Sequence, residues 1–79
     1  MITAAEYNCL DYHKQTEAVL KGTFLAERLT EHYYIKLYYL YSFYVEVFFD
    51  DHSHLITHFD AFYDSKLIMP YLDDLKIAV

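Results

Sequence analysis

Tyr33-Tyr34-Ile35-Lys36-Leu37-Tyr38-Tyr39-Leu40-Tyr41-Ser42-Phe43-Tyr44-Val45-Glu46-Val47-Phe48-Phe49 is the stretch that decides the fold. It is built from Tyr, Phe and β-branched residues, the types that fit a pleated surface. Tyr33 to Leu40 reads as one strand and Phe43 to Phe49, with clean alternation, as the next. The two form a hairpin whose register sets both sheet faces. A three-residue loop, Leu40-Tyr41-Ser42, places Tyr39 opposite Phe43, Leu37 opposite Val45, Ile35 opposite Val47 and Tyr33 opposite Phe49. One face is then wholly apolar or aromatic, and the other pairs Tyr38 with Tyr44, Lys36 with Glu46 and Tyr34 with Phe48. A two-residue loop, Tyr41-Ser42, sets Lys36 beside Val47 and Leu37 beside Glu46. Opposite-charge and aromatic cross-strand pairs each contribute roughly 0.2–1 kcal/mol, so the three-residue loop is the expected one.

Outward from the hairpin, Asp50-Asp51-His52-Ser53 is a turn by composition, and Leu55 to Phe62 reads as a further strand. Thr23 to Thr30 reads as the strand before the hairpin. Upstream, Thr3-Ala4-Ala5-Glu6 has the form of a capping box. Ala5, Cys9, Tyr12, Thr16, Val19 and Leu20 then fall on one side at helical spacing, and Gly22 follows as a helix terminator. The spacing predicts one amphipathic helix over residues 4 to 21, lying on the face of Ile35, Leu37, Val45 and Val47. Asp64-Ser65 can cap a last segment. Pro70 argues for one turn at 65–68 and then a short helix burying Leu67, Tyr71 and Leu75. Helices flanking a run of strands give an α+β fold. The expected architecture is an N-terminal helix on a four-stranded antiparallel meander, followed by a short C-terminal helix.

The chain has 79 residues and a net charge of −6, with one Gly, one Pro, one Cys and sixteen aromatics, ten Tyr and six Phe. That is one domain, residues 1–79. A single Gly excludes glycine-loop phosphate cradles, and a single Cys excludes an internal disulfide. The negative charge argues against nucleic acid. No stretch supplies the roughly 20 apolar residues of a membrane helix. The N-terminus lacks the basic and apolar regions of a secretory signal, so the expectation is a soluble cytoplasmic protein without a membrane partner.

Few residues carry a chemical reading. His52, His54 and His58 beside Asp50, Asp51 and Asp60 are of metal-ligating type, with His54 and His58 on one face if Leu55 starts the strand. A solvated turn is the expectation, so no metal and no cofactor are assigned. Cys9 and His13 are one helical turn apart, as in an activated thiol, but Cys9 falls on the buried side and reads as a small hydrophobe. Arg28 can meet Glu46 across the sheet, or Glu27 can meet Lys36. No catalytic constellation is present, and the chain reads as non-enzymatic.

Gly22-Thr23-Phe24-Leu25-Ala26-Glu27-Arg28, Leu37-Tyr38, Phe43-Tyr44-Val45-Glu46-Val47, Ala61-Phe62 and Tyr71-Leu72 together resemble a group of small bacterial proteins of unknown function. The resemblance covers most of the chain, rests on sheet-packing motifs and brings no activity with it.

The functional expectation follows from the second sheet face. Tyr34, Tyr38, Tyr44 and Phe48 around one Lys–Glu pair have the composition of an interface core. The protein is expected to form a homodimer, or to dock on a protein partner, through those four aromatics. The alternative is a small apolar ligand held between the sheet and the C-terminal helix.

Overall fold

The computed structural model describes residues 2–72. The elements are α1 (Ala4–Asn8), α2 (Tyr12–Val19), β1 (Thr23–Leu29), β2 (Tyr33–Leu40), β3 (Phe43–Asp50), β4 (Ile56–Phe62) and a 3-10 helix (Ser65–Tyr71). The strands form one antiparallel sheet in the order β1-β2-β3-β4. The α+β meander is therefore as expected.

The N-terminal helix is not continuous. The Thr3 hydroxyl accepts from the Glu6 amide at 3.1 Å and the Glu6 carboxylate accepts from the Thr3 amide at 2.8 Å, closing the capping box. Asp11 then caps a second start, its carboxylate accepting from the Lys14 amide at 2.9 Å. The break turns Cys9 outward, so Cys9 is exposed. Ala5, Tyr12 and Leu20 are exposed too; Val19 is buried as expected, and Ala4, Tyr7 and Gln15 join it against the sheet. The two helices are tied by a reciprocal pair: the Tyr7 hydroxyl donates to the Gln15 carbonyl at 2.7 Å and the Gln15 amide donates to the Tyr7 carbonyl at 3.1 Å. Gly22 is needed for close approach, since a Cβ there would lie 2.9 Å from the Tyr39 carbonyl oxygen.

The hairpin register differs from the expected one. Leu40 faces Phe43, Tyr39 faces Tyr44, Tyr38 faces Val45, Leu37 faces Glu46, Lys36 faces Val47, Ile35 faces Phe48 and Tyr34 faces Phe49. The loop is Tyr41-Ser42, with Tyr41 in the left-handed region at φ 57°. Two-residue loops with positive φ match the twist of the strands they join. The charges that argued against this register are satisfied elsewhere. The Lys36 ammonium lies over the Tyr34 and Phe49 rings, 5.7 and 5.5 Å from their centroids. Glu46 takes Arg28 from β1 and Tyr71 from the 3-10 helix.

This register gives the sheet a core on each face. Leu40, Phe43, Val45, Val47, Phe59 and Ala61 pack with Ala4, Tyr7 and Val19 of the helices. Ile35 and Leu37, expected on that same face, lie on the opposite one, with Ala26, Phe62 and Tyr71. The cover there is the 3-10 helix, which runs unbroken through Pro70. Pro70 gives up one amide bond there, and the turn is held on either side by the Leu67 amide donating to the Asp64 carbonyl at 3.0 Å and the Leu72 amide donating to the Met69 carbonyl at 3.1 Å. Tyr71 is fully buried as expected, whereas Leu67 is exposed. Leu75 lies outside the described residues.

Candidate functional site

The four aromatics singled out from the sequence do not share a face. Tyr34 and Tyr38 lie on the helix face, and Tyr44 and Phe48 on the opposite face, because the two-residue loop shifts β3 by one position against β2. On the opposite face, Tyr44 stacks on Phe62 at 5.7 Å and meets Tyr39 edge-on at 5.4 Å. Phe48 stacks on His58 at 4.2 Å and meets Tyr33 edge-on at 5.5 Å. Between these clusters sits the Glu46 carboxylate, 7% exposed as a residue, accepting from the Tyr71 hydroxyl at 2.5 Å and from the Arg28 guanidinium at 3.3 Å. Arg28 also lies 5.1 Å over the Tyr71 ring. Burial, and then the bond to Glu46, hold the Tyr71 hydroxyl above its ordinary pKa. The group is a closed anchor for the 3-10 helix. Of the two ion pairs weighed from the sequence, Arg28–Glu46 forms. Glu27 instead accepts a hydrogen bond from the Tyr34 hydroxyl.

The helix face is only partly covered. α1 packs along β4 and α2 against β2. Toward β1, Phe24 is 50% exposed and meets Tyr38 edge-on at 5.6 Å. Beyond the Glu27–Lys36 pair, Tyr34 and Phe49 lie with ring centroids 6.0 Å apart, capped by Lys36 and flanked by Glu27. An open groove of about 650 Å³ runs along β1, bordered by Phe24, Glu27, Arg28, Leu29 and Tyr34. Phe24 and Leu29, 77% exposed, are additions to the expected set. Their signal was the odd apolar content of a mixed strand.

The two outer strands differ. On β4, the Asn8 side chain of α1 donates to the Ala61 carbonyl at 2.9 Å and accepts from the Ala61 amide at 2.8 Å. A carboxamide thus stands where a neighbouring strand would be. On β1, Thr30 donates to the Tyr33 carbonyl at 2.8 Å. Alternation along an antiparallel ladder then directs the backbone groups of Arg28 and Ala26 to β2, and those of Leu29 and Glu27 outward. The sequence reading gave Asn8 no role.

The histidines are not gathered. β4 starts at Ile56, so His54 lies in the turn, left-handed at φ 63°, and shares no strand face with His58. His58 bonds to the Thr57 hydroxyl at 2.8 Å and stacks on Phe48. Asp50, Asp51 and His52 do come together, with candidate ligand atoms within 4.8 Å. One Asp50 oxygen already accepts from the His52 and Ser53 amides at 2.8 and 2.9 Å. Those bonds, the one from Ser53 first, hold its pKa below the ordinary 3.8 and explain the cluster as a turn. His13 bonds to Glu17 at 3.1 Å on the exposed side of α2. Among the described residues, no helix is long and apolar enough to cross a membrane. No family model matches the chain, and neither a curated protein nor a solved structure matches it.

Proposed function

We propose that the protein is a non-enzymatic interaction module that forms a homodimer through the β1–β2 side of its helix face. The observation that carries this reading is the field of Phe24, Tyr34, Tyr38 and Phe49, left beside the helices around Lys36 and Glu27. It combines aromatic area with one charge of each sign, so the patch is neutral on a chain of net charge −6. Two copies can therefore meet there without the repulsion carried elsewhere on the surface. About 800 Å² per partner is the usual scale of a stable interface, and twofold dimers are the commonest assembly. An apolar ligand beneath the 3-10 helix has less support, because Tyr71 and Ile68 pack into that space against Ala26, Ile35, Leu37 and Phe62.

Light scattering across a concentration series tests the dimer. Tyr38→Glu acts on both sides of a twofold contact and should weaken association by about thirtyfold or more, the effect of losing a central aromatic of about 2 kcal/mol or more. Tyr39→Ser, on the opposite face, should leave it unchanged. A well-folded monomer at high micromolar concentration, or a dimer that Tyr39→Ser splits and Tyr38→Glu does not, would overturn the reading.

A further inference from the structure

Among the described residues, the outer edge of β1 has no strand beside it, a second and separate feature. It faces outward in the plane of the sheet, whereas the aromatic field faces up from it. The strand has seven residues and carries neither Pro nor Lys; of the features that blunt exposed edges it has the charges of Glu27 and Arg28 and one bulge. Its only irregularity is a bulge at Leu25. The outward N–H and C=O groups of Glu27 and Leu29 stand beside the groove, between the exposed side chains of Phe24 and Leu29. This is the arrangement on which extended segments add as an extra strand.

The charges on β1 discriminate between occupants. A second copy pairing antiparallel about a twofold must centre on a residue, since opposed residues share a face. Centred on Glu27, the pairing sets Glu27 against Glu27. Centred on Arg28, it opposes the two arginines and brings both copies of Glu27 to adjacent diagonal positions. Centred on Leu29, it sets Glu27 against Glu31. Like charges directly opposite are destabilising, so self-pairing centred on any of these three residues is penalised. Arg28 is already held by Glu46 and the Tyr71 ring, and the Lys36 ammonium opposite Glu27 is drawn over the Tyr34 and Phe49 rings, which leaves Glu27 as the charge of β1 that an incoming strand meets.

We propose that β1 takes an extended basic segment of another protein as a fifth strand. The segment bonds to the Glu27 and Leu29 backbone and places a Lys or Arg opposite Glu27. The chain's net negative charge draws such a segment in. This mode uses the backbone edge where the homodimer uses side chains; the two share Phe24, Tyr34 and Glu27, and dependence on peptide rather than on protein concentration tells them apart.

The test uses the intact protein and two capped nine-residue peptides, one alternating Lys with Val and one alternating Glu with Val. Amide hydrogen exchange followed by NMR is the readout. The Lys peptide should slow exchange at Glu27 and Leu29, and the Glu peptide should not. Leu29→Pro removes an outward N–H that the β2 ladder does not use, and should weaken Lys-peptide binding about tenfold. Glu27→Gln keeps an acceptor for the Tyr34 hydroxyl while removing the charge, and should weaken it about two- to fivefold. Should Leu29→Pro not fold, Glu27→Gln and the peptide pair still decide. Equal response to both peptides, no response to either, or protection confined to Tyr34 and Tyr38 would overturn the proposal. So would protection of the two amides that grows with protein concentration alone, which would assign the edge to a second copy.

Discussion

The two edges of one sheet are finished differently. On β4, α1 presents Asn8 so that a single carboxamide satisfies both outward groups of Ala61. On β1, the outward groups of Glu27 and Leu29 meet the groove. The closed edge depends on more than Asn8. α1 is only five residues long, too short to be stable by itself. It is held by its capping box, by the Tyr7 ring against Phe43 and Phe59 at 5.9 and 6.2 Å, and by the Tyr63 hydroxyl accepting from the Ala4 amide at 3.1 Å. Four separate contacts thus serve to place one side chain against a strand edge. Exposed edges invite pairing with other chains, and proteins blunt those not meant for it. Among the described residues, one edge is closed by a side chain and the other is left to the groove.

Removing the support of the closed edge should have the largest effect. Tyr7→Ala deletes a fully buried ring and the tie to Gln15, at a cost of about 3–5 kcal/mol. In a domain of this size that lowers the melting temperature by about 12 °C or more. Exchange at the Ala61 amide should rise toward that at Glu27, erasing the difference between the edges. An Ala61 amide that stays protected in a folded Tyr7→Ala protein would mean that α1 is not what holds Asn8. A smaller and more local change comes from Asn8→Ala. It leaves the Ala61 N–H and C=O unpartnered at a half-buried position, costing about 1–3 kcal/mol. It should also add concentration-dependent association through β4, visible by light scattering. Exchange at Glu27 should not change. If Asn8→Ala melts with the wild type and stays equally dispersed, the carboxamide is ornamental and the contrast between edges falls.

Most of the strand order was legible because aromatic and β-branched alternation is local. The capping box was legible for the same reason, since Thr3 and Glu6 find each other within one turn. The hairpin register was not. Its evaluation weighed Lys36 against Glu46 as cross-strand partners, whereas the fold gives Lys36 two rings and gives Glu46 partners from β1 and the 3-10 helix. Those partners are distant in sequence, so pairwise reasoning along one hairpin could not weigh them. One consequence carried through to the site. With Ile35 and Leu37 turned away from Val45 and Val47, both faces are core at the centre, and Tyr34 and Tyr38 come to the helix face while Tyr44 and Phe48 stay on the opposite one. Tyr34 and Tyr38 stay together because they lie on the same strand. The helix break was signalled by Asp11 ahead of Lys14, a cap that a stripe of apolar spacing passes over. Asn8 was not legible at all, since a polar residue on a short helix announces nothing until the strand it touches is in place.

Acid sharpens the contrast between the edges with the smallest change. The Glu6 carboxylate accepts from the Thr3 amide at 2.8 Å, and this bond first, then the Thr3 hydroxyl, holds its pKa below the ordinary 4.5. A carboxyl whose pKa is lowered by folding contributes its full stabilisation above the unfolded value and loses it as pH falls through the folded one. The capping box therefore stays intact above pH 4.5 and opens progressively below it. Asp50, lowered by the Ser53 and His52 amides, follows the same sign in the turn that leads into β4. Both carboxylates lie on the β4 side of the molecule, one through α1 and one through the turn. On acidification from about pH 6 to about pH 3, exchange at Ala61 should rise relative to Val45, an amide at the centre of the same sheet, while the ratio of Glu27 to Val45 holds steady. Referring each amide to Val45, with intrinsic exchange rates corrected for pH, separates edge opening from global loss of stability. Glu6→Gln preserves an acceptor for the Thr3 amide and does not titrate, so it should flatten the part of the Ala61 response that comes through α1. A Glu6→Gln protein with an unaltered acid response would assign that response to the Asp50 turn, and an Ala61 ratio flat over the whole range would detach the closed edge from both carboxylates.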